Sequence, residues 1–209
     1  MLVTDILEYD KKKVLVQLDG HLILPLYKGE VSRYRIKKGE ELSVQAKKEL
    51  LQELLPKRVK LRAMNLLQKR SYTKEGLRRK LAEGKYPDYL VDEAVAYVAS
   101  YHYVDDDRYA REYIRCYAET RSKRRIMQAL FQKGVEQAVI ESAWQAFETD
   151  NEPVDEVRQI YALLEKKGYR YEQADYKETR RVMNFLYRKG YCMDNILRCM
   201  HTEDSYTNL

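Results

Sequence analysis

Three consecutive aspartates, Asp105, Asp106 and Asp107, first suggest chemistry, because clustered carboxylates can bind a hard cation. Consecutive carboxylates on a helix point in different directions, however. Calcium loops instead space their oxygen ligands at every second position and place a glycine at the sixth. Asp is also a favoured N-cap, and negative charge stabilises the first turn of a helix. We therefore interpret the triplet as a helix start and expect no metal site.

The remaining reactive residues form no recognisable catalytic set. The three histidines are dispersed, and we find neither a glycine-rich phosphate loop nor a nucleophile elbow. Cys116, Cys192 and Cys199 form no CxxC pair, which is typical of reduced thiols in a cytosolic protein. We expect no membrane span, since no run of 18 apolar residues occurs, and no signal peptide at the acidic N-terminus. The sequence thus predicts a cytoplasmic, non-enzymatic protein without a cofactor.

Positive charge is more informative, because it is concentrated in a few segments. The 209 residues carry a net charge of +6, yet residues 57–80 alone hold ten basic residues and one acidic residue. Clusters of positive charge indicate a surface that binds an anionic partner more than an ordinary solvated helix face. The partner would be a nucleic-acid backbone or an acidic protein groove. The candidate contact residues are Arg70, Lys74, Arg78, Arg79, Lys123, Arg124, Arg125, Arg180 and Arg181.

The elements that must position these cations repeat along the chain. In three aligned segments, Leu77, Ile126 and Val182 coincide, and four further rows of small or apolar residues match at helical spacing. Each segment is preceded by one more helix, so the unit contains three short helices, with the cations on the second. The aligned segments are 73–95, 122–144 and 178–200.

Turn residues mark the ends of these helices. Gly134 and Gly190 coincide in the alignment and suit the left-handed conformation that ends a helix. The first copy has Lys85 at this position, and we expect Gly84 to replace the missing glycine. Pro56 can either end one helix or begin the next, because it lacks a backbone N–H.

The N-terminal residues instead alternate with a period of two. Val14, Val16 and Leu18 precede Asp19-Gly20, which predicts a β-hairpin or three-stranded meander with a two-residue turn and Pro25 near an edge. The predicted fold is mainly all-α: three tandem three-helix repeats in an elongated curved array, preceded by this small β region. An acidic stretch, residues 148–156, predicts a solvated linker. The predicted domains are 1–56, 57–104, 105–152 and 153–209.

Two kinds of nucleic-acid recognition are disfavoured. Helix-turn-helix proteins place their third helix in the major groove, but the third helices here begin near Asp88, Asp92 and Glu136, which phosphates would repel. The 19 tyrosines could stack on bases. At helical spacing, however, tyrosine more often covers the rim of a core.

Residues 103–110, Tyr-Val-Asp-Asp-Asp-Arg-Tyr-Ala, resemble the hallmark of the RecX regulatory protein family. Arg70-Ser71 with Leu77 and Lys80-Leu81 is similar to the first repeat of that family, and Arg125-Ile126 with Lys133-Gly134-Val135 is similar to the second. The motif residues are Asp105, Asp106, Arg108, Tyr109 and Ala110.

The resemblance implies an all-helical modulator that binds the RecA recombinase and its filament on DNA. Such a protein restrains recombinase activity, DNA repair and the SOS response. It would act as a monomer and reach DNA through the filament or by weak direct contact. The alternative that the residues themselves leave open is a general DNA-binding repeat protein that contacts phosphates.

Overall fold

The alternating N-terminal residues form a small antiparallel sheet in the structure, a computed structural model that describes residues 1–151 and 154–200. Its strand order is β1-β2-β3, and Pro25 lies on the edge strand β3, as predicted. Val14, Val16 and Leu18 of β2 are buried. The strands are β1 Val3–Glu8, β2 Lys13–Leu18 and β3 Leu22–Tyr27.

The hairpin turn contains the predicted dipeptide but one residue more than expected. Asp19 and Gly20 have φ angles of +49° and +76°, and the His21 N–H donates to the Leu18 carbonyl. Leu18 pairs with Leu22, so the loop holds three residues. The predicted two-residue length is therefore wrong, because His21 does not pair across the strands.

A continuous run of helix from Val44 to Leu67 passes through Pro56. Helices α1 Lys28–Arg33 and α2 Val44–Lys48 come first, and a π-helical segment, Glu49–Leu54, leads directly into α3 Leu55–Leu67. In this segment the Leu55 N–H donates to the Leu50 carbonyl, five residues back. The wider turn lies where a proline would otherwise crowd the preceding turn of an α-helix. Pro56 thus lies in the first turn of α3 without interrupting the helical backbone.

The remaining helices follow the predicted repeat of three. Among residues 1–151 and 154–200, the chain divides into one compact unit up to Asp106 and another from Asp107 onward. The predicted limit between the second and third repeats, at residues 152 and 153, lies outside the described residues. The helices are α4 Lys74–Ala82, α5 Asp88–Ser100, α6 Asp106–Tyr117, α7 Lys123–Gln132, α8 Gln137–Asp150, α9 Glu156–Lys167, α10 Tyr176–Arg188 and α11 Met193–Met200.

Every residue in the five aligned rows is buried. The first row, Leu77, Ile126 and Val182, lies on the buried face of the second helix of each repeat. The alignment therefore identified the cores of all three repeats from spacing alone. The other rows are Leu81, Leu130 and Leu186; Tyr86, Val135 and Tyr191; Val91, Ile140 and Ile196; and Ala94, Ala143 and Cys199.

The expected glycine shift in the first repeat is wrong. Lys85 itself has a φ of +58°, in register with Gly134 at +83° and Gly190 at +94°. Gly84 has a different role, since a Cβ there would lie 2.5 Å from the Tyr86 ring. Within the described ranges, no helix is both long and apolar enough to cross a membrane.

Candidate protein- and nucleic-acid-binding surface

The aspartate triplet forms the start of α6, as interpreted from the sequence. The helix begins at Asp106, whose carboxylate accepts a 2.8 Å hydrogen bond from the Lys74 N–H at the start of α4. Asp107 accepts a 2.7 Å hydrogen bond from Arg111 Nε, one turn later. These carboxylates therefore bind backbone and guanidinium N–H groups. Asp105 lies just before the helix, next to the buried Val104.

The other residues of the family motif support the same helix. Ala110 is fully buried against the core of the second repeat. Arg108 pairs with Glu112 at 3.7 Å, and Tyr109 stacks on Tyr113 with 6.3 Å between ring centroids. The last two contacts lie within α6 and stabilise it, while Ala110 packs the helix against the core.

The cations of the first repeat are less available than their number suggests. Arg78 Nε lies 2.7 Å from Asp92 of α5, and Arg79 pairs with Glu75 at 3.3 Å. Arg70 stacks over the Tyr72 ring at 4.4 Å, while the Lys74 side chain is exposed. The sequence count missed this pairing because Asp92 comes from the next helix.

In the second repeat, Lys123 is also paired. Its Nζ lies 2.8 Å from Glu148 Oε1 and 5.0 Å from the centre of the Trp144 ring. The hydrogen bond from Lys123 lowers the pKa of the Glu148 carboxyl below its ordinary value, and a hydrogen bond from Trp144 acts in the same direction. Lys123 therefore joins the start of α7 to the end of α8.

Four arginines in repeat register remain exposed to solvent. Arg124 and Arg125 lie on the first turn of α7, and Arg180 and Arg181 lie on α10. Within residues 1–151 and 154–200, none of these guanidinium groups pairs with a carboxylate. Together with Arg70 and Lys74 of the first repeat, which are also exposed and form no ion pair within the described residues, they are the predicted cations able to meet an external anion.

A groove of about 650 Å³ runs along α7 beside Arg124. Its walls combine this cation with Met127 and Phe131, and the Phe131 ring is 63% exposed. Gly190 and Cys192, from the turn between α10 and α11, also line it. An exposed aromatic ring beside an arginine is typical of the energetically important centre of protein interfaces.

The turn after α10 is fixed against the start of α7. Ser122 accepts a hydrogen bond from the Arg125 N–H as the N-cap of α7, and its Oγ donates to the Lys189 carbonyl at 2.8 Å. Gly190 permits this approach, because a Cβ there would lie 2.6 Å from Ser122 Oγ. The groove is therefore built by the second and third repeats together.

The tyrosines beside Arg121 cover the core rim, in agreement with the favoured interpretation, whereas Tyr176 and Tyr187 on α10 are exposed. Tyr113 and Tyr117 are partly buried against the second-repeat core, with 4.6 Å between their ring centroids. Arg121 lies 3.8 Å from the Tyr117 centroid and donates to the Tyr113 hydroxyl. These rings already contact cations of the chain itself.

The sequence did not predict the apolar residues of the groove along α7, Met127 and Phe131. Phe131 directly follows the buried Leu130, so it falls outside the apolar stripe of α7. A large aromatic residue off the buried face of an amphipathic helix was the available signal.

Comparisons with known proteins agree with this architecture. The family model described as RecX, second three-helix domain, matches residues 105–143, and the one described as RecX, third three-helix domain, matches residues 155–200. Regulatory protein RecX of Vibrio parahaemolyticus is 32% identical over 143 residues, which cover 68% of this chain and 89% of that protein. The Caldanaerobacter subterraneus protein of the same name is 27% identical over 203 residues, covering 96% and 99% of the two chains.

Solved structures share the fold. A crystal structure of regulatory protein RecX superposes with a TM-score of 0.62 at 21% identity, covering 96% of this chain and 99% of that one. RecX from Lactobacillus salivarius gives a TM-score of 0.57 over 70% of this chain and 94% of its own. With its repeats, motif and matching relatives taken together, this chain belongs to the RecX family of regulatory proteins.

Proposed function

We propose that this chain is a non-enzymatic regulator that binds the RecA recombinase and its filament on DNA and inhibits the recombinase. It would thereby restrain DNA repair and the SOS response. The observation that carries the proposal is family membership, established by the 32% identical relative and the two matched three-helix domains. We further propose that the chain acts as a monomer in the cytoplasm, without a cofactor.

The groove along α7 supports a protein partner. Phe131 offers apolar surface, and Arg124 offers a charge that forms no ion pair within the described residues, although Glu156 also lines the groove. Aromatic and arginine side chains carry most of the binding energy in protein interfaces. The neighbouring Arg125, Arg180 and Arg181 are exposed as well and could contact acidic side chains or the DNA of the filament.

Recombinase binding is testable by titrating the full chain into RecA filaments on single-stranded DNA. We expect inhibition of ATP hydrolysis at low micromolar concentration and co-purification with the filament. Phe131→Ala should raise the half-inhibitory concentration about tenfold, since truncating a central interface residue typically costs about 1–2 kcal/mol. Tyr176→Ala, another exposed aromatic position, is the matched control and should change it less than twofold. Absence of binding and of inhibition by the unmodified chain would contradict the proposal.

The second candidate function is general DNA binding through phosphates, favoured by the four exposed arginines. It predicts an affinity for naked DNA that falls steeply with salt, because phosphate contacts release counterions. Arg124→Glu combined with Arg125→Glu should then weaken binding to all sequences alike and reduce the salt dependence, as measured by fluorescence anisotropy. Charge reversal at Lys47 and Lys48, two adjacent exposed lysines on α2, is the control.

These two functions separate in their response to Phe131→Ala. Loss of the phenyl ring should impair recombinase inhibition and leave naked-DNA affinity unchanged, because phosphate contacts require charge. Negligible DNA affinity of the unmodified chain at physiological salt would contradict the second candidate.

A further inference from the structure

A different cavity, of about 720 Å³, lies within the N-terminal unit. Its walls come from the sheet, from α1, from the π-helical segment and from α3. Its volume falls in the range of about 300–1,000 Å³ that is typical of small-molecule sites. None of the cations selected from the sequence lines it.

The lining of this cavity is strongly cationic. Six basic side chains face the carboxylates of Glu49 and Glu53, and Glu30 pairs with one of the six, so an excess of three positive charges remains. Clustered charge of one sign in a concave site focuses the electrostatic potential and raises the local concentration of anions. The six cations are Lys13, Arg33, Lys57, Arg58, Arg62 and Lys69.

Arg58 is held in place by contacts within the chain. Its Nη1 donates to the Pro25 carbonyl at 3.2 Å, and its Nη2 donates to the Glu30 carboxylate. The guanidinium also lies 4.9 Å from the centre of the Tyr27 ring. This arginine therefore forms a fixed wall whose charge is largely matched by Glu30.

Arg62 lies one helical turn after Arg58 and is compensated less well. Its Nε is buried and has no hydrogen-bond acceptor, whereas buried N–H groups in folded proteins nearly always have one. The neighbouring group is the Tyr86 phenol, which is neutral, and no carboxylate of the described residues pairs with Arg62. Arg62 is thus a partly buried cation whose side-chain partner among the described residues is the neutral Tyr86 phenol, and such a cation favours binding of an anion.

Lys57 and Lys69 complete the charged edge of the cavity. Both side chains are exposed, and neither forms an ion pair within residues 1–151 and 154–200. The two ammonium groups can therefore contact an anion that Arg62 binds within the cavity.

Two of the three tyrosine rings that line the cavity have a cation over them, and the third, Tyr86, is buried. Tyr27 has Lys13 at 5.1 Å as well as Arg58, and Tyr34 has Arg33 at 5.4 Å from its centroid. Contacts of this kind occupy the rings that a base would use for stacking. The lining therefore favours an oxyanion over a nucleobase.

We propose that this cavity binds a phosphate group, held by Arg62 from within and by Lys57 and Lys69 at its edge. A guanidinium suits this ligand, because its N–H groups match two phosphate oxygens at once. The phosphate could belong to a free nucleotide or to a nucleic-acid backbone, and the chemistry of the site is the same for both. The inference does not depend on recombinase binding.

The test uses the full chain alone and inorganic phosphate as the probe, followed by ³¹P NMR at constant ionic strength. We expect saturable binding. Lys57→Gln combined with Lys69→Gln should weaken it at least fivefold, and Arg62→Gln at least tenfold. Lys47→Gln combined with Lys48→Gln removes the same number of charges from α2 and should change the dissociation constant less than twofold. Both double variants alter exposed side chains only, so folding is preserved.

Two further ligands distinguish the sources of the phosphate. Thymidine 5′-monophosphate that binds more tightly than inorganic phosphate, with the same dependence on Lys57 and Lys69, would identify a free nucleotide. A nucleic-acid backbone would be identified if an oligothymidylate without a terminal phosphate bound in a manner that depends on Lys57 and Lys69, while the monophosphate bound no more tightly than inorganic phosphate. The proposal would be overturned if none of the three ligands bound saturably. It would also be overturned if the Lys47→Gln and Lys48→Gln control weakened phosphate binding as much as Lys57→Gln combined with Lys69→Gln.

Discussion

Lys85 adopts a backbone conformation that residues with a Cβ rarely take. Its φ of +58° keeps the turn between α4 and α5 in register with the turns at Gly134 and Gly190. A left-handed conformation costs a non-glycine residue about 1–2 kcal/mol. The first repeat therefore retains the shape of the shared turn at some expense of stability.

Lys85→Gly should accordingly raise the free energy of unfolding, by about 0.5–1 kcal/mol after the greater flexibility of glycine in the unfolded chain is included. Gly190→Ala should lower it by about 1–3 kcal/mol, because the new Cβ would also meet Ser122 Oγ. Urea denaturation measures both. Destabilisation by Lys85→Gly would contradict the explanation.

At the scale of elements, a buried chain of hydrogen bonds connects the second and third repeats. Gln159 of α9 donates to the Ala118 carbonyl at 2.6 Å and accepts from the Tyr191 hydroxyl at 3.0 Å. Burial raises the pKa of Tyr191 to about 12, and the nearby Glu156 carboxylate acts in the same direction. The protonated phenol is therefore the form that fits this junction.

This junction predicts a loss of stability in alkaline solution. A phenol whose folded pKa is raised contributes fully below pH 10, its ordinary pKa. The contribution is lost as pH rises from 10 towards about 12, because the unfolded chain releases its proton first. The slope is at most about 1.4 kcal/mol per pH unit.

Urea titrations across this pH range should show a flatter profile for Tyr191→Phe than for the unmodified chain. Tyr187→Phe, at an exposed ring in the same repeat, should leave the profile unchanged. Parallel profiles for the unmodified chain and Tyr191→Phe would contradict the assignment.

At the scale of the whole molecule, the sequence was most informative about the repeats. Leu77, Ile126 and Val182 could be recognised because helical spacing is a local property, and all three are buried. The π-helical segment before Pro56 could not be predicted, because hydrogen bonds five residues apart leave no such periodic signature. The left-handed turn at Lys85 could not be predicted, because a lysine gives no local signal for a conformation that favours glycine.

The candidate site was predicted less completely, because the neighbours of a side chain depend on tertiary packing. Arg78 was counted as an available cation, but Asp92 comes from the following helix and pairs with it. The cavity around Arg62 escaped notice for the same reason, since Lys13 and Tyr27 reach it from strands more than 30 residues earlier in the chain.

The helical segment around Pro56 packs against both the sheet and the first repeat, which makes the sheet region inseparable from that repeat. The hydrophobic core is continuous across this segment: Leu50 and Leu55 pack in the same cluster as Val16 of the sheet and Leu77 of the repeat. A truncated chain starting at residue 57 would lose the sheet, the π-helical segment and the first two residues of α3, and would leave their apolar partners open to water. The N-terminal region is thus an integral support of the first bundle, and the two are expected to unfold in a single cooperative step.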